Sequence, residues 1–285
     1  MTLEELVGVE LAVPVEPRVI AMATGIAAKH GAASRAVLFY GSCLREAQLD
    51  GLMLDFYLIV ADYRSAYPKR WLATANSLVP PNVFPFEHDG LAAKYAVLSE
   101  ADFNRLNGPE TRNVSVWARF AQPSRLVWAS DEEARDKAVA AVARAAPTLL
   151  GAAMPYVRPG GDELDIWRQA FALTYSAELR AERKARSASV VDADPERYRI
   201  FTGPALAAAT PTRSGWGRRR IEGKALSVVR LAKASATYAG GVEYIVWKIN
   251  RHAGTTIELK PWQRNHPLLA AISLLPRLLR SGAIR

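Results

Sequence analysis

The sequence lacks the features that mark secreted, zinc-bound or membrane-spanning proteins. Cysteine occurs once, at Cys43, so an internal disulfide is impossible, and no Cys/His cluster has the spacing of a zinc site. No uninterrupted apolar run reaches the roughly 18 to 20 residues that span a bilayer, because the longest runs, near 145–157 and 265–276, are short and contain proline or polar residues. Residues 1–5 are acidic where a leader peptide would be basic. These absences predict a protein of the reducing cytoplasm.

The composition is that of a folded globular protein. Of the 285 residues, 50% are hydrophobic and 23% are charged, which excludes disordered, collagen-like and coiled-coil chains. The length suffices for one large unit or for two domains with a sizeable core.

The positive charge is concentrated in the last third of the chain. The net charge is +9, and the part from Pro211 onward carries 14 Lys/Arg and three Glu, so it holds +11 while residues 1–210 hold −2. A basic region on a near-neutral body indicates an anionic partner, such as nucleic acid, a phospholipid surface or a polyphosphate. The alternative is a basic surface that serves only solubility.

The pattern of predicted elements changes near residue 130. Before it, a helix over 15–31 and helices capped by Ser99 and Ser130 accompany strand-like apolar runs. Those runs lie at 35–40, 52–60, 83–86, 91–98 and 125–128. Helical spacing then dominates, at 131–146, 162–186, 195–202, 217–238, 242–252 and from 266. We therefore predict an α+β protein in which a mixed-sheet domain, residues 1–130, precedes a mainly helical domain, residues 131–285.

Two neighbouring strand candidates carry groups suited to phosphate and metal chemistry. Gly41-Ser42 forms a turn directly after the first strand, and Asp55 is the one charged residue inside the apolar second strand. Turn amides can hold phosphate, and a carboxylate can hold Mg²⁺. Strand, Gly-Ser turn and strand Asp resemble the pattern of the polymerase β-like nucleotidyltransferase superfamily.

The pattern is incomplete in its acids, and a structural alternative stays open. The superfamily usually places two acids at alternate strand positions, whereas Met53 and Tyr57 flank Asp55 here. A second metal ligand would come from another part of the chain. The candidates are Asp50, Glu87, Asp89 and Glu178. Alternatively, Asp55 pairs with a neighbouring arginine in a purely structural role, since a buried carboxylate requires a compensating cation.

A longer set of segments resembles one family within that superfamily. They occur in this order: Tyr40-Gly41-Ser42, Met53-Leu54-Asp55-Phe56, Lys94-Tyr95-Ala96-Val97-Leu98-Ser99, Trp117-Ala118-Arg119-Phe120 with Gln122-Pro123, and Leu173 to Arg180. In order and spacing they resemble the mitochondrial translocator assembly and maintenance proteins, which are CTP-dependent phosphatidate cytidylyltransferases, and their bacterial relatives. That family has a single strand Asp. The chain departs from it at Cys43 and Ala96, where the family has glycine, and at Ala177-Glu178-Leu179, where it has Gly-Asp-Phe.

The resemblance implies a reaction and a set of site residues. The reaction joins CTP to phosphatidic acid and gives CDP-diacylglycerol, a precursor of cardiolipin, and pyrophosphate. Asp55, Lys94 and Arg119 would be catalytic, with Asp55 holding Mg²⁺. Nucleotide binding would use Gly41, Ser42, Lys94, Tyr175, Glu178 and Arg180. From the residues alone, Lys94 is equally a strand-end lysine that reaches solvent, and Glu178 and Arg180 fit an exposed intrahelical ion-pair network with Glu182 and Arg183.

The basic C-terminal third contains the candidate membrane-binding residues. They are Arg218, Arg219, Arg220, Lys260, Trp262 and Arg264, followed by an apolar segment whose composition is typical of an interfacial helix. Two alternatives remain: packing of that segment on the protein's own core, and binding of nucleic acid by the same cations. No RNA-binding module is recognisable, so nucleic acid ranks second.

Together these patterns predict a Mg²⁺-dependent phosphatidate cytidylyltransferase, peripheral on the inner face of the cell membrane. The alternatives are a nucleotidyltransferase acting on RNA, protein or a small molecule, and a catalytically silent regulator that binds nucleotide or membrane. The sequence does not specify the oligomeric state.

Overall fold

The computed structural model describes residues 1–44, 49–157, 161–178, 190–212 and 215–237, with 258, 260 and 261; in the last helix the side chains of 231 and 234–237 are left out. A five-stranded sheet lies at its centre, in the order β3-β4-β2-β1-β5. The strands are β1 (Ser34–Tyr40), β2 (Met53–Val60), β3 (Asn82–His88), β4 (Leu91–Ser99) and β5 (Ser124–Ala129). Only the β2–β4 pairing is parallel. The predicted α+β class with a mixed sheet is therefore confirmed.

Helices flank the sheet and dominate the second half of the described chain. They are α1 (Leu3–Leu11), α2 (Pro17–Ala28), α3 (Tyr63–Ala66), α4 (Arg70–Leu78), α5 (Glu100–Asn107), α6 (Trp117–Phe120), α7 (Glu132–Ala143), α8 (Ala145–Ala153), α9 (Glu163–Ala177), α10 (Pro195–Ala208) and α11 (Trp216–Thr237). The predicted 131–146 helix divides at Arg144 into α7 and α8. The predicted helices at 242–252 and from 266 lie outside the described residues.

Capping residues fix two of the helix starts. The Ser99 hydroxyl accepts a hydrogen bond from the Asp102 amide, as predicted, and so begins α5. At α7 the cap is Asp131 rather than the predicted Ser130. The Asp131 carboxylate accepts from the Ala134 amide, while the Ser130 hydroxyl donates to that carboxylate. An ionised cap suits the helix dipole better than a hydroxyl does, which explains the shift.

Both faces of the sheet are covered, because alternate residues of the apolar strands point to opposite sides. On one face, Phe56 and Val97 pack with Val19 and Met22 of α2. On the other face, Leu38 packs in one cluster with residues of the later helices, which we call the helix-side core. That cluster extends from β1 through α8 and α9 to α10, so it crosses the predicted boundary at residue 130 without interruption. The division into two domains stays a prediction.

The stretch from Glu132 to Tyr156 meets the length and composition of a membrane-crossing helix, with 25 residues. In the structure 61% of its most apolar stretch is buried. Leu149 and Leu150, for example, are fully buried within the helix-side core. Burial against protein accounts for this apolar composition, since core helices pass the same test.

Candidate active site

One row of residues crosses the whole sheet near the end of β1. Strand register places Ser124, Tyr40, Asp55, Lys94 and Pro85 side by side, one from each strand. Residues in register project to the same face of a sheet. We call this set the site row. Tyr57 belongs to the helix-side core and Tyr40 packs against it, so the site row faces α6, α9 and α11.

Asp55 and Lys94 form an ion pair at the centre of the site row. The Lys94 Nζ atom lies 2.8 Å from Asp55 Oδ1, and the two side chains are 23% and 22% exposed. The Oδ1 atom is itself buried, and it accepts no hydrogen bond from the residues that the structure describes. Asp55 therefore has a cationic neighbour, as the structural alternative required, but this neighbour is Lys94 and not an arginine. A carboxylate oxygen removed from water and short of donors favours an additional cation.

The turn after β1 packs directly against that carboxylate. Gly41 has φ +98°, a conformation that favours glycine, and a Cβ atom at this position would lie 3.2 Å from Asp55 Oδ2. Ser42 begins a short 3₁₀ turn, Ser42–Leu44. Cys43, at the position where the resembled family has glycine, is buried in the core on the other face of the sheet. The glycine thus allows backbone and carboxylate to approach each other closely.

Arg119 on α6 lies near Tyr40 and Asp55 of the site row. It donates to the Ser115 carbonyl, and its Nη1 atom lies 3.9 Å from Glu178 Oε1. Burial opposes the charge of Arg119, but Tyr57, Glu178, Tyr40 and Asp55 outweigh burial and hold its pKa above the usual value. Arg119 therefore stays a cation near Asp55. Burial, and then the Asp55 charge, raises the pKa of the Tyr40 hydroxyl well above its usual value.

The end of α9 brings the acidic partner of Arg119. Glu178 immediately follows α9 and is 8% exposed. Because it is buried beside Arg119, an exposed ion-pair network does not describe Glu178. Tyr175 lies one helical turn earlier and packs partly buried against the helix-side core. Arg180, Glu182 and Arg183 lie outside the described residues.

None of the predicted second metal ligands is a member of the site row. Asp50 is 62% exposed and pairs with Arg18 at 2.8 Å, and Glu87 and Asp89 are exposed toward the β3–β4 turn. Glu178 faces Arg119. No group of three or more His, Cys, Asp or Glu able to hold a metal occurs among the residues that the structure describes. Asp55 alone fits a Mg²⁺ ion that takes its other ligands from nucleotide phosphates and water, which is how Mg²⁺ is commonly bound.

Sequence reasoning missed two residues next to this site, Ser115 and Arg230. Arg230 on α11 donates from Nη1 to Ser115 Oγ at 2.5 Å, and from Nε to the Pro80 carbonyl at 2.9 Å. Lys233, one turn further, contacts the carbonyls of Val79 and Pro81. The spacing of Leu226, Arg230 and Lys233 puts cations on the same helical face as an apolar residue. This pattern could have indicated that these cations face the protein rather than a membrane.

The residues predicted to contact lipid divide into exposed and buried ones. Arg218, Arg220 and Lys260 are exposed, and Arg218 pairs with Glu222 at 2.7 Å. Arg219 is only 2% exposed and donates to the carbonyls of Thr111 and Arg112. Its assignment to a membrane surface is therefore wrong, because the helix turns it inward. Trp262 and Arg264 lie outside the described residues.

Comparisons with known proteins give little beyond this geometry. Neither a family model nor a curated protein matches the chain. Among solved structures, the chain is similar to a nucleotidyltransferase-like protein from Exiguobacterium sibiricum. The identity is 11%, the alignment covers 93% of this chain and 92% of that chain, and the TM-score is 0.29. A similarity this loose transfers no residue role, and the resemblance to the cytidylyltransferase family stays a prediction.

Proposed function

We propose that the chain is a Mg²⁺-dependent nucleotidyltransferase whose substrates are CTP and phosphatidate. One observation carries the proposal: a positive-φ Gly-Ser turn packs against a strand carboxylate that has a buried, poorly satisfied oxygen and a lysine beside it. Turn amides, a carboxylate and a cation are groups that suit nucleotide-phosphate chemistry.

The proposed reaction needs charge neutralisation more than proton transfer. An ionised phosphate oxygen of phosphatidate attacks the α-phosphorus of CTP, the bond from that phosphorus to the β-phosphate oxygen breaks, and pyrophosphate leaves with the electron pair. The attacking oxygen carries no proton at neutral pH, so no general base is required. The catalytic contribution of the protein is therefore positioning and electrostatic stabilisation.

Each group in the site has a defined task in this proposal. The amides of the Gly41-Ser42 turn donate to the β- and γ-phosphates. Lys94 and Arg119 stabilise the negative charge that develops during transfer. Asp55 would hold Mg²⁺, and the ion would supply positive charge that stabilises the nucleotide phosphates.

The acceptor part of the proposal depends on charge at the surface. Arg218, Arg220 and Lys260 are exposed cations of the basic third. Each cation near an anionic bilayer contributes about 1 kcal/mol to binding. We therefore propose a peripheral position on the anionic inner face of the cell membrane, where phosphatidate is available.

The test separates the donor from the acceptor. Purified protein is incubated with Mg²⁺, each of the four α-labelled ribonucleoside triphosphates, and one acceptor: phosphatidate in phosphatidylcholine vesicles, phosphatidylcholine vesicles alone, or an RNA oligonucleotide. Label from CTP in an organic-soluble product, formed only with phosphatidate, is the expected result. Label in RNA, or in the protein itself, would replace the acceptor. Absence of any product with Mg²⁺ or Mn²⁺ would contradict the proposal and favour a silent binding protein.

A further inference from the structure

Two guanidinium groups from different helices meet at Ser115. Arg119 of α6 donates to the Ser115 carbonyl, and Arg230 of α11 donates to the Ser115 hydroxyl at 2.5 Å. Arg230 is further oriented by the Pro80 carbonyl, which accepts from its Nε at 2.9 Å and from its Nη2 at 2.5 Å. Both side chains are therefore fixed, and fixed guanidinium groups lose little entropy when they bind a ligand.

The contacts of Arg230 orient it without neutralising its charge. Its hydrogen-bond acceptors in the described part of the chain are one backbone carbonyl, that of Pro80, and the Ser115 hydroxyl, both uncharged. Among the described residues, two carboxylates lie near the pair: Glu178, which is 3.9 Å from Arg119, and Asp55, which is ion-paired with Lys94. Two like charges held close together in a partly desolvated place repel each other.

The electrostatics of the pair favour an anionic ligand. Burial lowers the pKa of Arg230, and the Arg119 charge lowers it further, whereas Tyr57 and Glu178 oppose this. The cations Arg119, Arg230 and Lys94 therefore outnumber the nearby carboxylates, which are Asp55 and Glu178. The planar guanidinium fork matches the oxygens of a phosphate group. A ligand with several phosphate charges would supply the compensation that the described residues do not.

We infer that Arg230, together with Arg119, binds the polyphosphate end of the nucleotide and stabilises the pyrophosphate as it leaves. This inference rests on the proposed function and adds a catalytic residue on α11. Turn amides donate hydrogen bonds but carry no net charge, so the guanidinium pair provides the charge that the amides at Gly41-Ser42 lack. Helix α11 thereby closes the phosphate side of the site rather than contacting lipid with this face.

The test uses inorganic tripolyphosphate, which contains no nucleoside and no acceptor. Its binding is measured by calorimetry for the wild type, Arg230→Gln and the control Lys224→Gln, which removes the same charge from an exposed position on α11. Arg230→Gln should weaken tripolyphosphate binding about tenfold or more, because charge-assisted hydrogen bonds to the phosphate are lost. Lys224→Gln should change binding less than about twofold. Glycerol 3-phosphate, measured in parallel, stands for the acceptor phosphate.

Each further outcome decides the inference. Equal tripolyphosphate affinity for Arg230→Gln and Lys224→Gln would overturn it, and so would a loss confined to glycerol 3-phosphate, which would place the acceptor at Arg230. If Arg230→Gln does not fold, Arg230→Lys keeps the charge but shortens the reach to Pro80. A lower unfolding temperature with unchanged tripolyphosphate affinity would then show a purely structural residue. Tripolyphosphate binding that depends on Arg230 in a protein without transferase activity would retain the anion site and reject the proposed reaction.

Discussion

Substitution of Gly41 by alanine tests how closely the turn and the Asp55 carboxylate must approach. The change imposes two separate costs. A side chain at φ +98° is strained, and the new Cβ atom would lie 3.2 Å from Asp55 Oδ2, so the carboxylate must move by a few tenths of an ångström. We expect the strain to lower the free energy of unfolding by about 1–3 kcal/mol.

The displaced carboxylate should reduce activity far more than the strain reduces stability. A misplacement of about 1 Å in a positioned catalytic group can cost about 100-fold in rate. For the smaller shift at Gly41 we expect turnover to fall about 10- to 100-fold.

Gly90→Ala is the matched control for backbone strain. Gly90 also has a positive φ, +73°, but nothing lies within 4 Å of a Cβ atom there. Urea unfolding should show a loss of about 1–2 kcal/mol for Gly90→Ala, with turnover close to wild type. In an Asp55→Ala background, Gly41→Ala should retain only the strain cost. Unchanged turnover in Gly41→Ala, or equal loss of turnover in both glycine variants, would refute a tight fit between turn and carboxylate.

Three further predictions concern the ion pair and two buried bases. Lys94→Met should lower turnover at least about 100-fold while unfolding by urea shifts by about 1–3 kcal/mol, because a phosphate-binding cation is lost and Asp55 loses its ion pair; loss of folding with normal residual specific activity would contradict this. Burial lowers the pKa of His30, so the unfolded chain binds more protons than the folded one below about pH 6.5. Stability should therefore decrease as the pH is lowered in this range, by at most about 1.4 kcal/mol per pH unit. His30→Gln should reduce this slope in urea titrations. Burial, and then the Arg230 charge, lowers the pKa of Lys233 from its ordinary value of 10.5 to about 7. Between these two values the unfolded chain binds more protons than the folded one, so stability should rise with pH from about 7 to about 10.5 in the wild type relative to Lys233→Met. A parallel pH dependence in either variant would contradict the corresponding assignment.

The strands and the central pairing could be predicted from sequence because they depend on local patterns. The apolar runs at 35–40 and 52–60 become β1 and β2 with shifts of a residue at their ends. Their antiparallel pairing places Tyr40 opposite Asp55, as the idea of a turn beside a strand carboxylate required. The local hydrophobic pattern and the pairing of neighbouring strands favour the same arrangement, so the sequence predicts these two strands and their pairing.

The partners of the site could not be predicted, because they come from distant parts of the chain. The parallel β2–β4 register that sets Lys94 against Asp55 joins positions 39 residues apart. Ser115 and Arg230 meet only after α11 folds back over the sheet edge at Pro80. Arg219 and Arg230 are indistinguishable by charge from exposed neighbours such as Arg218, and only the rotation of the helix decides which of them is buried. Composition alone therefore cannot tell cations that pack against the protein, such as Arg219 and Arg230, from cations that are exposed to a membrane surface.

The most direct measurement of the central claim is transfer of α-labelled nucleotide by Asp55→Asn, with Asp50→Asn as control. Asp55→Asn removes the proposed metal ligand yet preserves side-chain size, so turnover should fall at least about 100-fold, since several kcal/mol of charge stabilisation are lost. Unfolding by urea should stay within about 2 kcal/mol of wild type for both variants. Asp50 is exposed and ion-paired with Arg18, outside the site row, and Asp50→Asn should keep wild-type turnover. Wild-type turnover in Asp55→Asn would show that Asp55 is only the structural partner of Lys94 and would contradict the account.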